Sequence, residues 1–174
     1  TVIALRDLGA RNITVVDLNP WVLEMAGRFG ATHTVHAGVD DVATRFRTIG
    51  APALTVETAG AAATRRLALE VAAKNGAVVF VGTPSTDLVL DPDTFEHILR
   101  KELTLRGSWM SYSAPFPGAE WAKAGRLLAG AASDPVQLIT HELPLDRVAD
   151  GFAVMRSGEQ QRLKVMFRVA GELA

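Results

Sequence analysis

The chain has 174 residues, of which 48% are hydrophobic, 18 are Lys or Arg and 19 are Asp or Glu, giving a formal net charge of −1. That length and apolar content suffice for one α/β domain with a real core and exclude a disordered chain, and the balanced charge argues against nucleic acid or an anionic membrane as partner. The absence of cysteine excludes a disulfide framework and a thiolate metal site within these residues; no apolar run approaches the roughly 20 residues of a membrane span and no signal peptide is visible, so a soluble cytoplasmic protein is expected.

Residues 1–8 (TVIALRDL) read as a helix already in progress, with Val2, Ile3, Leu5 and Leu8 apolar and Gly9 as its left-handed stop. A helix with no cap before it, in a chain without an initiator Met, suggests further chain upstream. The stretch Asn12–Pro20 (NITVVDLNP) follows. It is a short apolar run, Ile13–Val16, ended by Asp17, and then Asn19-Pro20, an N-cap with proline at the first helical position. Val22, Met25, Ala26 and Phe29 recur at helical spacing up to Gly30. Thr32–His36 is a β-branched strand candidate. Asp40 or Asp41 caps a helix carrying Val42, Phe46 and Ile49, which Gly50 closes.

Ala53–Glu57 (ALTVE) is the next strand, followed by Thr58-Ala59-Gly60. The spacing predicts a helix over Thr64–Asn75, with Leu67, Ala68, Val71 and Ala72 inward and Gly76 as stop. Ala77–Val81 (AVVFV) is the most apolar strand and ends at Gly82-Thr83-Pro84. Leu88–Leu90 leads to a second cap-plus-proline start, Asp91-Pro92, and a helix with Phe95, Ile98 and Leu99. Leu103–Trp109 (LTLRGSW) is a further strand, residues 112–118 form a loop, and a helix spans about Ala119–Ala129. The tail reads as a strand in LITHELPLD, a helix Arg147–Arg156 and a strand Lys164–Val169, too small a unit to stand alone.

Strands alternate with helices, and their apolar runs are continuous rather than alternating, as in strands buried on both faces. The fold class is therefore α/β, a doubly wound Rossmann-type parallel sheet. The first strand and Gly-rich turn of such a fold belong roughly 20 residues before the ribose-binding acid. With Asp17 as that acid, they would lie ahead of Thr1.

Candidate site residues each carry two readings. Asp17 ends the strand after the first helix, where a dinucleotide fold places the acid that accepts ribose hydroxyls and repels a 2′-phosphate, selecting NAD over NADP. It is otherwise an ordinary turn acid. Thr58, Ala59 and Gly60, and Val81, Gly82 and Thr83, follow strands at the carboxyl ends where a cofactor lies, and glycine also serves plain turns. Ser108 and Trp109 meet a nicotinamide carboxamide or simply end an edge strand. Lys164 reaches a diphosphate or is solvated. His33, His36, His97 and His141 lack metal-ligand spacing with a carboxylate on one helix face and read as surface or structural histidines. Trp109, Tyr112, Phe116 and Trp121 line a substrate or subunit surface, or pack a loop. No catalytic residue stands out.

NITVVDLNPWVLEMAGRFGATHTV, VETAG, GAVVFVGTP, LTLRGSW and ITHELPLDRVADGFAVM…LKVMF together resemble the C-terminal half of zinc-dependent medium-chain alcohol/polyol dehydrogenases. VETAG with ILRKELTLRGSWMSYSAPFPGAEW is especially similar to the galactitol-1-phosphate 5-dehydrogenases, with sorbitol and threonine dehydrogenases as near relatives. The resemblance implies NAD as cofactor: Asp17 on the adenosine ribose, Thr58, Ala59 and Gly60 on the ribose side, and Val81, Gly82 and Thr83 near the nicotinamide. It implies Ser108 and Trp109 at the carboxamide and Lys164 at the diphosphate. Relatives often carry Arg or Lys where this chain has Val22, which puts one adenine contact in doubt.

The resemblance further implies a parent enzyme that oxidises a polyol or polyol phosphate. A zinc ion would stabilise the substrate alkoxide as its carbinol hydride passes to nicotinamide C4. The zinc ligands are expected in an N-terminal domain outside this chain. On this reading residues 1–132 are an incomplete dinucleotide-binding domain, residues 133–174 pack on the catalytic domain, and the chain alone neither binds zinc nor turns over alcohol. A homodimer or homotetramer paired near Leu103–Ser108 is implied too. The alternatives are a non-catalytic nucleotide-binding fragment and a zinc-free quinone-reductase-like oxidoreductase.

Overall fold

The computed structural model describes residues 1–109, 115–130, 135–158 and 161–169. Its elements alternate as read from the sequence: α1 (Val2–Asp7), β1 (Thr14–Asp17), α2 (Pro20–Arg28), β2 (His33–His36), α3 (Val42–Ile49), β3 (Leu54–Glu57), α4 (Ala62–Val71) and β4 (Ala77–Phe80). Then come α5 (Pro92–Arg100), β5 (Thr104–Gly107), α6 (Ala119–Ala129), β6 (Ile139–Pro144), α7 (Val148–Ser157) and β7 (Lys164–Arg168). Three helix starts are held by side chains adjacent in sequence. Asn19 Oδ1 accepts the Trp21 N–H at 3.0 Å, Asp41 Oδ1 accepts that of Thr44 at 3.1 Å, and Asp91 Oδ1 accepts that of Thr94 at 2.8 Å. These bonds satisfy backbone donors that a helix leaves orphaned in its first turn. They also hold both aspartates below the ordinary carboxylate range: the Thr44 hydroxyl and then its N–H act on Asp41, and the Thr94 N–H and then its hydroxyl on Asp91.

Among the described residues every strand pair is parallel, and the strands form three sheets, β1-β2, β3-β4-β5 and β6-β7. The chain divides into two compact units, Thr1–Gly38 with 119–174, and Val39–Gly118.

In the first unit, Thr14 to Asp17 pair in register with His33 to His36. The Thr32 hydroxyl joins the strand starts, accepting the Ile13 N–H at 2.8 Å and donating to its carbonyl at 3.1 Å. Ile13, Leu23, Met25, Phe29 and Val35 are its buried apolar residues. The tail forms the expected strand–helix–strand, with β6 and β7 parallel around the α7 crossover.

In the second unit, Leu54–Glu57, Ala77–Phe80 and Thr104–Gly107 run level with one another. Their core is Ala68, Leu69 and Ala72 from the α4 side and Val78 from β4, with Phe80, Leu90, Ile98 and Leu103 packed against it. One predicted boundary is corrected. The helix expected over Thr64–Asn75 starts at Ala62 and stops at Val71. Ala72 turns to an extended conformation, and the Ala73 N–H then bonds the Pro52 carbonyl at 2.9 Å instead of continuing the helix. Asn75 donates to the Lys101 carbonyl, so tertiary partners end α4 before its apolar periodicity does. Leu69, 1% exposed, is the buried leucine of this helix in place of the predicted Leu67. No helix among the described residues is long and apolar enough to cross a membrane.

Candidate functional site

The level register of β3, β4 and β5 sets Glu57, Phe80 and Gly107 side by side at one sheet end. The residues that follow leave together: Thr58-Ala59-Gly60, Val81-Gly82-Thr83 and Ser108-Trp109. The parallel ladder carries on into these loops. The Val81 and Gly82 N–H groups donate to the Glu57 carbonyl at 2.8 and 3.0 Å, and the Ser108 N–H donates to Phe80 at 2.9 Å. Eight of the ten site residues predicted from the sequence thus meet at the carboxyl end of one sheet.

The first two loops interlock through glycine. Gly60 has φ +73°, and a Cβ there would lie 2.1 Å from the Thr83 carbonyl oxygen. A Cβ on Gly82 would lie 2.3 Å from the Gly60 nitrogen. Both are collisions with backbone, which cannot swing aside as a flexible side chain can, so only glycine fits either place. Around this contact Thr58, Ala59, Val81 and Thr83 remain exposed, as do Ser108 and Trp109. The result is an exposed platform of loop backbone that mixes the hydroxyls of Thr58, Thr83 and Ser108 with the apolar Ala59, Val81 and Trp109.

One residue of this end was not singled out from the sequence. Glu57 is only 5% exposed. Its Oε1 accepts the N–H groups of Ala59 and Gly60, both at 2.8 Å, and lies 2.8 Å from the Thr64 hydroxyl. That hydroxyl is also 2.9 Å from the Ala61 carbonyl, so its proton is shared. Oε2 is buried without a hydrogen-bond partner. The readable signal was an acid closing an apolar run, LTVE, as Asp17 closes ITVV.

Asp17 belongs to the first unit, at the carboxyl end of β1 beside His36 of β2. It is half-buried; its Oδ1 accepts the Asn19 N–H at 2.8 Å and its carbonyl accepts that of Ala37 at 3.0 Å. The second carboxylate oxygen remains for a donor, which is the capacity that a ribose hydroxyl requires. Lys164 also belongs to this unit. It opens β7 opposite Ile139, exposed, with its carbonyl accepting the Thr140 hydroxyl at 3.1 Å.

Trp109, Phe116 and Trp121 are 61%, 69% and 55% exposed, so none is a core residue of the chain as it stands; Tyr112 lies outside the described residues. His33 and His36 are on β2, His97 is on α5 and His141 on β6. No group of three or more His, Cys, Asp or Glu among the described residues is placed to hold a metal ion.

Comparison with known proteins places the chain in a family. The sequence pattern of the family described as zinc-binding dehydrogenase matches residues 1–129. The galactitol 1-phosphate 5-dehydrogenase of Escherichia coli (strain K12) is 40% identical over 137 residues, covering 77% of this chain and 40% of that protein. An L-threonine 3-dehydrogenase of Chelativorans sp. (strain BNC1) is 30% identical over 159 residues, covering 87% of this chain and 43% of its own length. Among solved structures, galactitol-1-phosphate dehydrogenase from Escherichia coli superposes with a TM-score of 0.84 at 35% identity, over 94% of this chain and 48% of that one. An alcohol dehydrogenase zinc-binding domain protein from Burkholderia ambifaria gives 0.85 at 26% identity, over 98% and 45%. The chain thus spans less than half the length of these relatives. With its parallel α/β fold and the family pattern running from Thr1 through α6, the chain belongs to the zinc-binding dehydrogenase family.

Proposed function

We propose that this chain is the NAD-holding part of a zinc-dependent dehydrogenase that oxidises a polyol or polyol phosphate of the galactitol 1-phosphate kind. The observation that carries the reading is the glycine-locked platform at the carboxyl end of β3-β4-β5, the end at which doubly wound sheets bind their ligands. Asp17 accepts the adenosine ribose hydroxyls through its remaining oxygen and repels a 2′-phosphate, which makes NAD the preferred cofactor. Thr58, Ala59 and Gly60 flank the ribose side, Val81, Gly82 and Thr83 approach the nicotinamide, and Ser108 and Trp109 meet its carboxamide. Lys164 neutralises the diphosphate.

Bound NAD supplies the hydride acceptor. This chain's residues bind it, orient it and present it from a preformed backbone surface. Zinc is assigned to residues outside this chain, and so are the proton relay and most substrate contacts. Two features support further assembly. Phe152 and Met155 of the 133–174 segment are 62% and 44% exposed and line one apolar surface with Val165 and Phe167, a face suited to packing on a catalytic domain. β5 is exposed along its length at the edge of its sheet, and so is suited to pairing in a homodimer or homotetramer.

The test is turnover by the protein at its full natural length. NAD-dependent oxidation of galactitol 1-phosphate, abolished by a chelator and restored by zinc, is the expected result. Residues 1–174 alone should show no polyol oxidation. Turnover by residues 1–174 would overturn the division of labour.

A further inference from the structure

We propose that Glu57 is a positioning residue that presets the Thr58–Gly60 loop for the cofactor, an inference that rests on the nucleotide-binding reading above. The N–H groups of Ala59 and Gly60 converge on Oε1, each at 2.8 Å, and the Thr64 hydroxyl reaches the same atom at 2.8 Å. Two of these donors are consecutive backbone groups of the loop itself. The third belongs to the first turn of α4, whose N-cap residue, Ala61, has no side-chain oxygen to offer. A carboxylate from the end of β3 therefore ties the loop to the helix start through the Thr64 side chain.

The same residue fixes the neighbouring loop. Its backbone carbonyl accepts both the Val81 and the Gly82 N–H, at 2.8 and 3.0 Å, and Gly60 in turn abuts the Thr83 carbonyl. Glu57 thus sets Thr58–Gly60 through its side chain and Val81–Thr83 through its main chain. It needs no contact with a ligand to do so, because it is buried. A loop ordered before binding spares the complex the entropy of ordering it afterwards, and the benefit appears as affinity.

The uneven use of the carboxylate makes the inference testable. All the donors meet one oxygen and the other has no partner. Glu57→Gln therefore keeps the acceptor that the loop uses, whereas Glu57→Ala removes it. NADH affinity of the full-length protein, read from nicotinamide fluorescence beside the thermal midpoint, is the measurement. Glu57→Ala should weaken NADH binding by roughly tenfold, Glu57→Gln by no more than about threefold, and Thr64→Val by an amount in between.

Unchanged affinity in Glu57→Ala would overturn the inference, and so would a Glu57→Gln protein as weak as Glu57→Ala, since charge rather than loop geometry would then be at work. If Glu57→Ala does not fold, Thr64→Val decides. Weaker NADH binding at an unaltered thermal midpoint supports the role, and unaltered binding overturns it. A wild-type protein that binds no NADH would overturn the cofactor reading itself and this inference with it. Normal wild-type binding with indifferent variants would overturn this inference alone.

Discussion

Asp17 and Glu57 occupy matching places in the two units, each the last residue of a parallel strand, yet their carboxylates face opposite demands. Asp17 spends one oxygen on a single turn bond to Asn19 and stays half-exposed. Glu57 is buried, and its one bonded oxygen gathers the donors of its own loop and of α4. The difference follows from what comes next in the chain. After Asp17 the polypeptide supplies its own cap, Asn19, to the helix it enters. After Glu57 it enters α4 through Thr-Ala-Gly-Ala, which has no capping side chain at Ala61, and the strand-end acid instead binds two N–H groups of this loop and the Thr64 hydroxyl. An acid relieved of structural duty is available to a ligand. An acid with that duty shapes the surface that the ligand meets.

Three substitutions would break or sharpen this contrast by their effects on stability in denaturant titrations. Gly60→Ala should be the largest, on the order of 3 kcal/mol, because it adds left-handed strain to a collision with the Thr83 carbonyl. Glu57→Ala comes next, at roughly 2 kcal/mol, since it leaves two backbone N–H groups without their acceptor. Asp17→Ala should be smallest, about 1 kcal/mol or less, for one partly exposed turn bond. If Asp17→Ala destabilised as much as Glu57→Ala, the two acids would share one structural role and the contrast would be lost.

The capped helix starts were legible because caps are local: Asn19-Pro20, Asp41 and Asp91-Pro92 each act within three residues of themselves. The strands were legible to within two residues from their short apolar runs. The end of α4 was not, because the Pro52 and Lys101 carbonyls that draw away the Ala73 and Asn75 N–H groups lie 21 and 26 residues distant in sequence. Glu57 escaped notice for a related reason. Its pattern is that of Asp17, and burial against the neighbouring loop, not residue type, separates the two. The glycine platform was only half-readable. Gly60 and Gly82 mark turns in the sequence, but their mutual contact exists only once β3 and β4 run level.

The proposed role of Asp17 in selecting NAD is tested most directly by calorimetric titration of the full-length protein with NADH and NADPH. The account predicts that NADH binds at least about tenfold more tightly, because a 2′-phosphate would sit against the Asp17 carboxylate. NADPH binding as tightly as NADH, or more tightly, would contradict it.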